Sequence, residues 1–200
     1  MFERLGHHPV YLPILPVDPV VVDGGAGSDD GDYLKRLFHI RKAARVLCIE
    51  PNPDEAAKLL AISKLSYGQI TVWQGYLTAS TMLATLQMRD ESSQSSYISD
   101  IDRGGGKSDR IMDAWPITIP AILQCLPTID VLKLDIEGSE HELLLNTPAE
   151  CFGRIGQISI EWHEGVDQVG PMARMKSMGY GYQSAPTAGP GLGTFYRKPE

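Results

Sequence analysis

The chain has 200 residues (21.9 kDa), with 18 Lys and Arg against 25 Asp and Glu, a formal charge of −7. That length fits a single domain over residues 1–200 with a core of its own, and 42% hydrophobic against 22% charged residues is a folded composition. The acidic balance argues against a broad basic face for nucleic acid, and no run approaches the roughly 18 apolar residues of a membrane helix.

Three cysteines, Cys48, Cys125 and Cys151, are too far apart in sequence for a C-x-x-C metal pair and read as reduced thiols of a cytoplasmic protein. Residues 1–18 carry Pro9, Pro13 and Pro16, show no helical period, and are expected to be an extended lead-in rather than the apolar core of a signal peptide. Val20-Val21-Val22 is a β-branched run of the kind buried in a parallel strand, and it ends at Asp23. Gly24-Gly25-Ala26-Gly27 is a turn, after which Ser28 can cap a helix that buries Tyr33, Leu34, Leu37 and Phe38.

Arg45 to Glu50 is the next strand, and Asn52-Pro53-Asp54-Glu55 starts a helix reaching about Leu65. Ile70 to Trp73 is a third strand. Tyr76 to Met88 fits either a strand pair or a short helix. Residues 89–109, with their Ser pairs and Gly104-Gly105-Gly106, read as a flexible loop or lid. A helix is expected at Ile119–Leu126, a strand at Asp130–Asp135, a helix from Glu140, a strand at Ile158–Trp162 and a helix at Pro171–Met178. A final antiparallel hairpin is expected near Gly181–Ser184 and Thr194–Arg197. The alternation of strand and helix predicts an α/β fold around a parallel sheet with right-handed crossovers.

Ligands of such sheets bind beyond the carboxyl ends of the strands. Of the five strand ends, at Asp23, Glu50, Gln74, Asp135 and Glu161, four carry an acid. Read as a dinucleotide loop, the glycine turn has Asp30 where a third glycine belongs, and Asp23, Asp29 and Asp30 would repel a pyrophosphate. A cationic ligand without phosphate fits better, such as S-adenosylmethionine with its ammonium and sulfonium. Glu50, 27 residues after Asp23, can accept hydrogen bonds from both ribose hydroxyls.

Four segments resemble the FkbM-type S-adenosylmethionine-dependent methyltransferases. They are Val21-Val22-Asp23-Gly24-Gly25-Ala26-Gly27, Ile49-Glu50-Pro51-Asn52-Pro53, Leu132-Lys133-Leu134-Asp135-Ile136-Glu137-Gly138-Ser139-Glu140 and Ile158-Ser159-Ile160-Glu161-Trp162-His163. The resemblance spans roughly residues 20–165. It implies a Rossmann-like class I methyltransferase fold: a mostly parallel seven-stranded sheet, an antiparallel last strand, and helices on both faces. It also implies a cofactor held by Asp23, Gly25, Gly27 and Glu50, with Asp135 near its amino-acid end or the acceptor, and a small-molecule hydroxyl, on a sugar, polyketide or other natural product, as methyl acceptor; Gly24, Pro51, Asn52, Gln74 and Gly75 beside them, with Asp135, are expected to bind the cofactor as well. The loop here is G-A-G-S-D where the family usually has G-A-N-I-G.

A hydroxyl acceptor must lose a proton, and the expected catalytic residues are His163 as base, with Glu161 to orient it and Asp135 beside them. Glu137 is expected to cap the following helix, although Asp135, Glu137, Glu161 and His163 could also bind Mg²⁺ or Mn²⁺; no metal is predicted. Lys133, in an apolar strand, calls for an acid such as Glu161 or for a snorkelling position. His7 and His8 are expected to be solvated, His141 to be exposed, and Trp73, Trp115 and Trp162 to be core residues, with Trp162 alternatively lining the acceptor pocket. Tyr76 is placed near the adenine. The competing functions are an NAD(P)-dependent oxidoreductase, a nucleic-acid methyltransferase, for which the Asn/Asp-Pro-Pro-aromatic element is missing, and a non-catalytic cofactor-binding module.

Overall fold

A hairpin stands where the lead-in was expected. In the computed structural model, β1 (Phe2–Leu5) pairs antiparallel with β2 (His8–Tyr11), followed by a 3-10 turn over Leu12–Ile14. The structure describes residues 1–27, 31–88, 96–98, 110–163, 167–185 and 191–197. Two apolar residues, Leu5 and Val10, are fully buried beneath the hairpin. Gln157 fixes it by accepting from the Tyr11 N–H (2.7 Å) and donating to the Tyr11 carbonyl (3.3 Å), and the Thr194 hydroxyl donates to the Pro9 carbonyl (2.6 Å). Four-residue strands with a proline and only two buried apolar residues give no periodic signal, and the side chains that fix the hairpin lie 146 and 185 residues away in the chain.

The sheet then forms as expected. Its strands are β3 (Val20–Gly24), β4 (Arg45–Glu50), β5 (Ile70–Gln74), β11 (Ile129–Leu134), β12 (Ile155–Glu161), β13 (Tyr180–Ser184) and β14 (Leu192–Arg197), in the order β13-β14-β12-β11-β3-β4-β5. β14 runs antiparallel to both neighbours and every other pairing is parallel. The chain moves outward from β3 through β4 and β5, then restarts on the other side at β11. The switch point of the sheet therefore lies between β3 and β11, where a ligand crevice is expected.

Because side chains alternate along a strand, the central strands feed two cores. Val21, Val46 and Val131 pack with Leu5, Val10, Tyr33, Leu37 and Leu59, under the hairpin, α1 (Gly31–Ile40) and α2 (Pro53–Ser63). Val22, Leu132, Leu134, Ile158 and Ile160 pack on the opposite face. They meet residues of α3 (Ile119–Cys125), α4 (Glu140–Asn146), α5 (Ala149–Phe152) and α6 (Val169–Ser177).

The ambiguous segment after β5 is strand: β6 (Tyr76–Leu77) pairs with β10 (Pro116–Ile117), and β7 (Ala84–Met88) pairs with β8 (Ser96–Ile98) and β9 (Arg110–Ala114). The expected loop over 89–109 is thus interrupted by β8; its remaining residues, like the Ser28 cap, lie outside the described residues. Cys48, Cys125 and Cys151 are free, and no helix among the described residues is long and apolar enough to cross a membrane.

Candidate active site

The glycine turn is clamped to the end of β4. The N–H groups of Gly25 and Ala26 both donate to the Ile49 carbonyl, at 3.0 and 3.2 Å. Gly25 has φ +70°, and a Cβ there would lie 1.7 Å from the Asp135 carbonyl oxygen, so the turn passes too close to β11 for any other residue. Gly24 is less tightly confined: a Cβ would meet a terminal methyl of Leu77 at 2.8 Å and the Lys133 carbonyl oxygen at 3.1 Å.

Glu50 joins the turn to the next helix. One carboxylate oxygen accepts from the Gly27 N–H (2.9 Å) and the other from the Asn52 N–H (2.8 Å). The residue is only 6% exposed, and this burial pushes its carboxyl up to about 6 despite those two donors. An ionised carboxylate offers about four lone-pair positions, so two remain for further donors such as a vicinal diol. Pro51 connects this site to Asn52, whose side chain caps α2 by accepting from the Asp54 N–H (3.0 Å). Gln74 is exposed at the end of β5, and the N–H of buried Gly75 donates to the Glu50 carbonyl (3.1 Å).

Asp23 lies beneath this surface rather than on it. It is fully buried, and its cross-strand neighbour in register is Lys133, whose ammonium lies 3.0 Å from Oδ1. Lys133 also donates to the Gly25 carbonyl (3.1 Å) and lies 3.8 Å from Asp135. The acid that balances Lys133 is thus Asp23 on β3, not Glu161, which faces Leu192 in the register of β12 and β14. The pair holds the glycine turn from below, which corrects the expected contact of the Asp23 side chain with a cofactor.

Beyond β11 and β12 the chain gathers charge. Asp135 lies 3.4 Å from His8 Nε2, 3.6 Å from His163 Nε2 and 3.8 Å from Lys133. Burial alone would raise its carboxyl, but these three neighbours hold it down at about 2. His163 Nδ1 is 3.0 Å from Glu140, and its Nε2 is 3.5 Å from Glu137. Burial opposes a charge on this ring, yet Glu140, Glu137 and Asp135 together raise it to about 9. Both ring nitrogens face carboxylates, so His163 is an imidazolium at neutral pH. In that state it has no lone pair to accept a substrate proton, which changes the role expected of it from base to cationic strut.

Glu137 does not cap a helix. Its backbone is left-handed (φ +54°), and its half-exposed carboxylate is raised by burial and by its acidic neighbours. The residue that ties down the start of α4 is Glu140, which is fully buried and accepts from the Ile136 N–H (3.0 Å) as well as facing His163. Glu161 is half-buried at the end of β12, and His8, expected to be solvated, is 2% exposed against Asp135.

Sequence reading missed Glu140 and His8 as site residues. The signal for Glu140 was its place at the end of the Leu132–Glu140 segment and at the first position of a helix, and His8 depends on the hairpin. Trp162 is core, donating to the Tyr182 hydroxyl (3.3 Å); Tyr76 is buried, donating to the Met82 carbonyl (2.6 Å). Trp115, expected in the core, is 69% exposed, and His141 faces Asp167 (3.6 Å) at the surface.

The sequence of residues 23–182 matches the methyltransferase FkbM domain. The chain belongs to the FkbM methyltransferase family. The methyl donor of that family is S-adenosylmethionine, whose ribose hydroxyls could donate to the remaining acceptor positions on Glu50 and whose positive charge the carboxylates at neighbouring strand ends could face. Among solved structures the chain is similar to a methyltransferase FkbM from Methylobacillus flagellatus, with 18% identity, a TM-score of 0.60, and coverage of 90% of this chain and 44% of that one. It therefore spans less than half the length of that relative.

It is also similar to precorrin-6y C5,15-methyltransferase from Geobacter metallireducens (15% identity, TM-score 0.51, 90% and 81% covered). A third similar structure is fibrillarin from Aeropyrum pernix, solved with S-adenosyl-L-methionine (14% identity, TM-score 0.51, 94% and 69% covered). At these identities the likeness establishes the class I methyltransferase fold alone. No curated protein matches the sequence.

Proposed function

We propose that this FkbM-family chain transfers a methyl group from S-adenosylmethionine to a hydroxyl of a small molecule, a sugar, polyketide or other natural product. One observation carries the reading: a buried Glu50 holds the glycine turn and keeps acceptor positions free, beside strand ends crowded with acids. That surface suits a cationic nucleoside and is hostile to the pyrophosphate of a nicotinamide cofactor.

The bound donor supplies an electrophilic methyl on a sulfonium. Glu50 accepts hydrogen bonds from the ribose hydroxyls, Gly24, Gly25 and Gly27 give the backbone clearance, and Pro51, Asn52, Gln74 and Gly75 form the rim. Asp135 offsets positive charge at the methionine end. The acceptor hydroxyl gives its proton to Glu137, which is half-exposed and more basic than an ordinary carboxylate. Glu161 lines the same end, and His163 keeps the cluster from repelling itself apart. Holding the hydroxyl in line and excluding water accounts for most of the rate.

Calorimetric titration with S-adenosylhomocysteine and, in parallel, NADH tests the reading. Micromolar binding of the first alone supports it and leads to a screen of hydroxylated acceptors with radiolabelled donor. Binding of NADH alone overturns it, and binding of neither leaves a non-catalytic module.

A further inference from the structure

We propose that His8, Asp135 and Glu161 form a binding site for a divalent transition-metal ion. One ligand atom from each residue can be chosen so that all three lie within 4.8 Å of one another. His8 Nε2 and Asp135 Oδ2 are 3.4 Å apart, close to the roughly 3–3.5 Å edge of a coordination shell with bonds of about 2.1 Å. Three elements converge on the point: the hairpin brings His8, the end of β11 brings Asp135, and the end of β12 brings Glu161.

Two further observations favour a ligand there. The ring of His8 is 2% exposed, its Nε2 lies on the side of the Asp135 carboxylate, and its Nδ1 has no hydrogen-bond partner among the described residues. The Glu161 carboxylate has no hydrogen bond or ion pair to any described residue.

One imidazole nitrogen and two carboxylate oxygens suit Mn²⁺ or Zn²⁺ better than the all-oxygen shell preferred by Mg²⁺. Three protein ligands leave open positions, where an acceptor hydroxyl could bind and become more acidic. That last role rests on the methyl-transfer reading. Binding of the ion does not, so failure of a metal titration and failure of an S-adenosylhomocysteine titration are separate results.

The experiment is titration of the metal-stripped protein with Mn²⁺ and with Zn²⁺, by calorimetry and, for Mn²⁺, by electron paramagnetic resonance. One ion per chain is expected. The near-isosteric Glu161→Gln, at a half-buried position, should weaken binding by about 10- to 100-fold or more, since outer-shell losses alone reach that range. In the unaltered protein, Mn²⁺ should broaden the ring resonances of His8, a readout that needs no variant to fold. Absence of binding by both ions up to about 1 mM overturns the proposal. Binding that survives Glu161→Gln unchanged, or leaves His8 unbroadened, also overturns it.

Discussion

Replacing Glu50 by Gln removes one titration from the protein, and the structure fixes its sign. Burial raises the Glu50 carboxyl from 4.5 to about 6, so the folded chain binds that proton more tightly than the unfolded chain. The stability this contributes is fully present below the unfolded value and is lost as pH rises through about 6. The difference of roughly 1.5 units corresponds to about 2 kcal/mol. Urea unfolding of both proteins between pH 4 and pH 7 isolates the effect, because most other groups cancel between the two curves. The stability difference should move by about 2 kcal/mol in favour of the native sequence on acidification, mostly between pH 6 and 4.5. A difference flat with pH would refute the account of a carboxylate charged against its burial.

The same substitution addresses binding. At neutral pH, S-adenosylhomocysteine should bind Glu50→Gln about 5- to 150-fold more weakly, the equivalent of 1–3 kcal/mol for a charged hydrogen-bonding partner. Affinity of the native sequence should fall below pH 6 toward that of the variant. Unchanged affinity would remove Glu50 from the ribose.

Two other perturbations test the scaffold under the site. Gly25→Ala would put a Cβ 1.7 Å from the Asp135 carbonyl at a positive φ, so β11 and the turn must separate; cofactor binding should be lost by calorimetry even if the chain folds. Lys133→Met leaves Asp23 buried without its partner ammonium and should destabilise by about 3–5 kcal/mol in urea unfolding. Combining it with Asp23→Leu should recover much of that loss, and a double variant no better than the single would contradict the pairing.

The strands and helices of the sheet were legible because each writes its own period. Val20-Val21-Val22, Val46 to Ile49 and the leucines flanking Lys133 are buried apolar residues, and Asn52-Pro53 marks a helix start by local chemistry alone. The glycine turn and Glu50 were legible by residue type and place at a strand end, although the groups they meet, the Asp135 carbonyl and the Gly27 N–H, lie far along the chain. What sequence could not decide was which charges meet. Lys133 finds Asp23 because β11 lies beside β3, across 110 residues of chain, and no local pattern encodes that adjacency.

His163 looked like a base when only its strand end was visible. Its ionisation belongs to Glu140, Glu137 and Asp135, which converge on it from β11, the turn after it and α4. The hairpin that seals the sheet and carries His8 to Asp135 is held by Gln157 and Thr194. Sequence thus determined the elements, where the energetics are local, and marked the turn by its glycines. Tertiary structure decided the protonation and pairing of the acids and histidines, because Coulomb energy depends on separation in space and burial, not on separation along the chain.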